Sequence, residues 1–287
     1  MAKKALLVGI NDYKGIGDLS GCVNDVTNMR NVLRNYFGFE NTDIRVLVDS
    51  RASKENILSR LDWLVAGAHP GDYLVFHFAG HGSQIRDRGP KDELKDNLDE
   101  LICPWDMDWD GTFITDDDLN DKFKQLADGA FLEVFLDCCH SGSGTRDIGL
   151  GRPPELGPEK PVVSRFLPPP IDILCRYEGE EERLQPTRGF RAEDRSTLNH
   201  ILWAGCQDNQ TSADAHINGT YNGAFTYYFC KHLREAGGRI NREILLRRVR
   251  DSLRFNGYSQ IPQLETDETR RHGDVLTAET PVAEVSA

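Results

Sequence analysis

Short apolar runs alternate with apolar residues at helical spacing along most of the chain, and this alternation restricts the fold more than any other feature. Ala5 to Gly9, Ile44 to Val48, Tyr73 to Phe78, Phe131 to Leu136 and His200 to Ala204 read as strands, the third following a turn at Pro70-Gly71-Asp72. Between the first two, Val23, Val26, Met29, Val32 and Leu33 repeat at helical spacing. Ser53 can cap a helix that carries Ile57, Leu58, Leu61, Leu64 and Val65 on one face. Leu119 to Leu126, Phe225 to Leu233 and Arg242 to Leu253 also read as helices. Strand followed by helix, repeated, is the pattern of an α/β fold with a mostly parallel sheet covered on both faces.

A length of 287 residues suits one large domain or two small ones. With 39% hydrophobic and 28% charged residues there is material for a core, which excludes a disordered, collagenous or coiled-coil chain. No apolar run approaches the roughly 18 residues of a bilayer span. The formal net charge of −12 makes nucleic acid and anionic membranes poor partners and favours cations and basic substrates. The opening apolar run stops at Asn11-Asp12, too early for a signal peptide, so it reads as a first strand with no long segment expected before it. Seven scattered cysteines imply reduced thiols and a cytoplasmic setting. A monomer is expected.

Two of the strands end in chemistry. The third runs into Phe78-Ala79-Gly80-His81-Gly82-Ser83 and the fourth into Leu136-Asp137-Cys138-Cys139-His140-Ser141-Gly142. In an open parallel sheet, ligands gather at the carboxyl ends of strands. Glycines there permit close approach of a substrate and leave amide N–H groups free to face an oxyanion. A thiol beside an imidazole is an acyl-transfer nucleophile. Zinc is disfavoured, because adjacent cysteines lack ligand spacing and no second Cys-x-x-Cys exists.

The chain resembles the metacaspases and the related bacterial orthocaspases, caspase-like cysteine peptidases. The resemblance runs from Lys4 to about Asp147 and from Thr197 to about Asp274. It is carried by Ala5-Leu6-Leu7-Val8-Gly9-Ile10-Asn11-Asp12-Tyr13, Leu19-Ser20-Gly21-Cys22-Val23-Asn24-Asp25, Gly80-His81-Gly82-Ser83, Asp99-Glu100-Leu101-Ile102-Cys103-Pro104, Asp116-Asp117-Asp118-Leu119 and the Asp137 to Gly142 motif. Later matches are Ala204 to Asp214 and Gly223-Ala224-Phe225-Thr226.

This resemblance implies a caspase-like three-layer sandwich, with a mostly parallel central sheet flanked by helices. It implies a large-subunit-like region over 1–147 and a small-subunit-like region over 196–274. Residues 148–195, rich in proline, read as a linker or surface insertion between them, and 275–287 as a loose tail. His81 is implied as general base and Cys139, directly before His-Ser-Gly, as nucleophile, with Cys138 as the neighbouring thiol. The N–H groups of Gly82 and Cys139 are implied as an oxyanion hole, with a dyad and no third member. Family members cleave after arginine or lysine, which needs a carboxylate-lined pocket. Asp25 and Asp137 match its carboxylates, Cys22 a wall residue, and Asp214 with the loop from Thr211 to Phe225 is a further candidate for the pocket wall. Ala79 stands where the family often has serine.

Between Asp87 and Asp118 twelve carboxylates face only Arg88, Lys91 and Lys95. Such a run is either a solvated face or a calcium site. Asp106, Asp108, Asp110 and Asp117 imitate an EF-hand loop without its helices. The resemblance places calcium instead on Asp99, Asp116, Asp117 and, less closely spaced, Asp147. The resulting expectation is a calcium-assisted, self-processing endopeptidase acting on polypeptides with basic residues. It would nick its own linker after Lys160, Arg165, Arg176, Arg183 or Arg188. The rival reading is a non-proteolytic calcium-binding or interaction module on the same scaffold.

Overall fold

The apolar runs pair into one six-stranded sheet in a computed structural model that describes residues 1–86, 98–140, 162–175, 200–207 and 210–277. In chain order the elements are β1 (Lys3–Gly9), α1 (Cys22–Phe37), β2 (Ile44–Val48), α2 (Lys54–Val65), β3 (Tyr73–Ala79), β4 (Gly82–Arg86), β5 (Leu98–Ile102), β6 (Ile114–Thr115), α3 (Asp116–Phe123) and β7 (Phe131–Asp137). There follow β8 (Val163–Ser164), α4 (Ile171–Cys175), β9 (Ile201–Ala204), β10 (Ala213–Ile217), β11 (Thr220–Gly223), α5 (Ala224–Glu235), α6 (Arg242–Phe255), β12 (Gln263–Glu265) and α7 (Glu268–Arg271).

The main sheet has the order β12-β9-β7-β3-β1-β2. All neighbours are parallel except β12, which runs antiparallel to β9. Successive side chains of a strand point to opposite faces, and the sheet uses this to build two cores. Ala5 and Leu7 of β1 and Tyr73 and Val75 of β3 join residues of α1, α5 and α6. Leu6, Val8, Leu74, Phe76 and Phe78 join α2 and α3 on the other face. All seven residues of β3 are buried, as a central parallel strand requires. Among the described residues no helix is long and apolar enough to cross a membrane.

The sandwich agrees with the expected architecture, and three local expectations change. Helix α3 begins at Asp116 rather than Leu119, because Thr115 and Asp118 form a reciprocal capping box that sets the start independently of the apolar spacing. The tail is not loose at once: Val275 and Leu276 are buried in the first core, and Leu276 N–H donates to Glu133 at 2.9 Å. Glu133 also accepts from Trp203, Arg242 and Tyr73, so this buried charge is paired and ties β7 to α6. Third, part of the proline-rich stretch is no surface loop. Residues Val163–Ser164 pair antiparallel with β10, and Arg165 beside them is wholly buried. Lys160, Arg176, Arg183 and Arg188 lie outside the described residues.

Candidate active site

Register brings the functional strand ends to one level. Gly9 pairs with Ala79 and Ala79 with Asp137, so the carboxyl ends of β1, β3 and β7 coincide at one sheet edge. From that edge the chain continues into His81 and Gly82, into Cys138 and Cys139, and through a loop into α1. A side chain at Gly9 would strike the Cys22 carbonyl and Val26, so its absence lets α1 lie close against β1. That sets Asp25, in the first turn of α1, beneath the edge with no exposure.

Asp25, Asp137 and Asp214 converge there, all buried, around the guanidinium of Arg165. Arg165 Nη2 lies 2.7 Å from Asp25 Oδ2 and 3.0 Å from Asp214 Oδ1. Its Nη1 lies 3.2 Å from Asp137 Oδ2 and donates to the Asp137 carbonyl at 3.0 Å. The carboxylates are held from elsewhere as well. Asp25 accepts from Gly223 N–H, and Asp214 from the N–H groups of Ser20 and Gly21. Asp137 accepts from the Ser212 hydroxyl at 2.5 Å and from Thr226 N–H and Oγ1 at 3.1 and 2.7 Å. Three buried acids face one buried cation, and burial pushes Asp25 up to about 8; Arg165 opposes that rise while Asp137 and Asp214 add to it. Cys22, fully buried, lies within the field of the same groups, and burial pushes its thiol up.

His81 is fastened on two sides. Its backbone N–H donates to the Tyr13 hydroxyl at 2.8 Å, and the two rings sit 5.1 Å apart. Its Nε2 lies 2.8 Å from the Gly17 carbonyl. A carbonyl can only accept, so Nε2 carries the proton and Nδ1, buried with no hydrogen-bond partner among the described residues, keeps its lone pair. Burial lowers the pKa of the ring, which favours the neutral base.

The two adjacent thiols face opposite ways, as neighbours at a strand end should. Cys138 packs in the second core with its Sγ 3.5 Å from His140 Nε2. Cys139 Sγ accepts from Ser212 N–H and lies 3.5 Å from the Ser212 carbonyl. A Cβ at Gly82 would collide with the Cys139 carbonyl, so only glycine brings the two expected oxyanion donors this close. Gly82 N–H donates to the Arg165 carbonyl at 2.9 Å, and Arg165 N–H donates to the Ser212 carbonyl at 3.1 Å.

The acidic candidates lie on the β4-β5-β6 sheet and the start of α3. Asp99 is on β5 and Asp116 and Asp117 open α3. Asp116 Oδ1 is buried with no hydrogen-bond partner among the described residues, and burial, with Asp99 and Asp117 adding to it, pushes the carboxyl up to about 7. Among the described residues no group of three His, Cys, Asp or Glu is arranged to hold a metal ion. Asp147 lies outside the described residues. The EF-hand imitation is a turn: Asp108 accepts from the N–H groups of Asp110 and Thr112 and from the Thr112 hydroxyl, while Asp106 accepts from Lys54 N–H at the start of α2.

Sequence reasoning did not single out Tyr13, Gly17 or Thr226 as site residues, and it reached Ser212 only as part of the loop from Thr211 to Phe225, a candidate pocket wall. All but Gly17 sit inside matched motifs. Gly17 acts through its backbone carbonyl, for which side-chain identity carries no signal.

A model of the metacaspase, peptidase C14 domain matches residues 3–146. Metacaspase-1 of Ajellomyces capsulatus is 35% identical over 285 residues, covering 91% of this chain and 79% of the relative. Metacaspase-1 of Emericella nidulans is 33% identical over 290 residues, covering 92% and 70%. Of solved structures, a Geobacter sulfurreducens protein superposes with a TM-score of 0.68 at 19% identity, over 96% of this chain and 99% of that one. Caspase-1 from Spodoptera frugiperda gives 0.55 at 16%, over 92% and 86%. These two likenesses speak to the fold, which is caspase-like. The matched domain and these relatives agree with the His81 and Cys139 motifs at adjoining strand ends, and the chain belongs to the metacaspase family of cysteine peptidases.

Proposed function

We propose that this peptidase cleaves after arginine, and less readily after lysine, and that its first substrate is its own Arg165–Phe166 bond. One observation carries the reading: Arg165 fills the three-carboxylate pocket while its carbonyl rests on Gly82 N–H. The Cys139 thiolate attacks that carbonyl carbon, and the oxyanion is held by the N–H groups of Gly82 and Cys139. His81, having taken the thiol proton, returns it to the departing Phe166 nitrogen. Water then hydrolyses the thioester, with His81 again as base. The Gly17 carbonyl orients the imidazole throughout. A lysine offers one nitrogen where the guanidinium offers two forks to three acids.

We propose calcium as the activator, held on the acidic side chains at the start of α3. Asp116 Oδ1 is buried with no hydrogen-bond partner among the described residues, Asp99 and Asp117 add to the rise of its carboxyl, and calcium takes carboxylate oxygens readily. The protein is expected to split into fragments 1–165 and 166–287 in millimolar calcium, the weak end of the usual affinity range, and to stay whole in chelator. Intact-mass spectrometry reads this directly. Arg165→Gln should remove that cut, and Cys139→Ala every cut. Splitting only after other basic residues would overturn the Arg165 assignment, and equal splitting in chelator would remove calcium from the reading.

The raised Asp25 gives a pH signature. An arginine binds best to ionised Asp25, so binding below its pKa must expel a proton. The KM for an arginine peptide is therefore expected to fall as pH rises from 6 to 9, by at most about tenfold per unit. Asp25→Asn should flatten the profile. The fold responds oppositely: a carboxyl raised to about 8 from 3.8 favours the folded state at low pH, and this contribution is lost as pH climbs to 8. A KM that is flat with pH in the parent enzyme would contradict the pocket electrostatics.

A further inference from the structure

We infer that Gly82 and Ser83 form a clamp on the leaving-group side, so that the enzyme reads the backbone of the second residue beyond the cleaved bond. The inference rests on the peptidase reading of the same site and adds a specificity determinant to it.

Beyond Arg165 the linker remains extended along the start of β4. Phe166 bridges to Gly82 in parallel sense. The Gly82 carbonyl accepts from Leu167 N–H at 2.8 Å. The Ser83 hydroxyl, on a residue with no exposure, donates to the Leu167 carbonyl at 2.6 Å. With Gly82 N–H on the Arg165 carbonyl, one dipeptide spans the scissile bond and grips the chain on both sides of it. The intervening Phe166 N–H donates instead to Ser164 Oγ at 3.2 Å, within the linker, so the first residue past the bond is not read in this way. Leu167 packs against the second core, which shields the two hydrogen bonds from water.

These contacts are to main-chain atoms, so they tolerate varied side chains yet refuse a residue without N–H. Proline as the second residue past the bond would face the Gly82 carbonyl with no donor, and its ring would crowd it. The linker obeys this rule: its proline run, Pro168-Pro169-Pro170, begins at the third residue. Anchoring both sides holds the carbonyl in line for attack, and this is where such hydrogen bonds raise rate as well as affinity.

Two arginine substrates separate the clamp from the rest of the site. One ends after arginine in a fluorogenic amide; the other continues as Phe-Leu and is internally quenched. In the parent enzyme, replacing that leucine by proline or by N-methyl-leucine should lower kcat/KM about tenfold or more, the worth of one to two shielded hydrogen bonds. In Ser83→Ala the ratio of kcat/KM for the extended over the short substrate should fall about tenfold, and Ser83→Thr should restore it. Proline and leucine peptides cut at equal rates by the parent enzyme would overturn the clamp, as would an unchanged ratio in Ser83→Ala. The short substrate reports the arginine pocket and the dyad alone, so its failure in the parent enzyme would strike the peptidase reading, and the proline-to-leucine ratio would still decide the clamp on any residue the enzyme cuts after.

Discussion

Cys139→Ala is expected to lose hydrolysis of an arginine fluorogenic amide by roughly four to six orders of magnitude, the scale seen when a covalent nucleophile is removed. Cys138→Ala should stay within a few-fold of the parent. The difference follows from geometry: Cys139 Sγ sits against Ser212 at the pocket that holds Arg165, whereas Cys138 points into the second core toward His140. Circular dichroism and the rate on the amide are sufficient measurements. A folded Cys139→Ala retaining a tenth of the parent rate would displace the nucleophile.

Asp137→Asn carries the next largest effect, roughly two to three orders of magnitude in kcat/KM for arginine substrates, because a buried cation is left without one of its counter-charges. The effect does not stop at the pocket. Both oxygens of Asp137 are already accepting, Oδ1 from the Ser212 hydroxyl and Oδ2 from Thr226 N–H, Thr226 Oγ1 and Arg165. An amide nitrogen on either side sets a donor against a donor, so a Tm lowered by a few degrees should accompany the kinetic loss. Among the described residues Asp25 meets Gly223 N–H besides Arg165, so Asp25→Asn should cost less stability. A folded Asp137→Asn that cuts arginine substrates at the parent rate would place the pocket elsewhere.

The strands and helices that bury a face were legible in the sequence. Ile44–Val48 and Arg242 as a helix start match the apolar spacing directly. What escaped were elements without that spacing. β8 and β6 have two residues each, and β10 and β11 are short strands of a separate three-stranded sheet, to whose packing β10 brings only the small Ala213 and Ala215 and a single large apolar residue, Ile217. The beginning of α3 was hidden because a capping box, not periodicity, sets it.

The site divides along the same line. Residue type and local order were enough to nominate His81 and the paired thiols at two strand ends, while Cys139 as nucleophile, Gly82 as oxyanion donor and Asp25 and Asp137 as pocket acids came from the resemblance to the metacaspases. Nothing local tells Cys138 from Cys139 physically; the alternation of a strand end does, once the core has chosen its face. Nor does the sequence around Arg165 distinguish it from the other basic residues of the linker. Only pairing of Val163–Ser164 with β10 carries that one guanidinium between carboxylates drawn from α1, β7 and β10, which are separated by 140, 28 and 49 residues from it. Composition and period encode burial, which is a property of single segments. Which cation meets which three acids is a long-range contact, and it exists only when the sheet has closed.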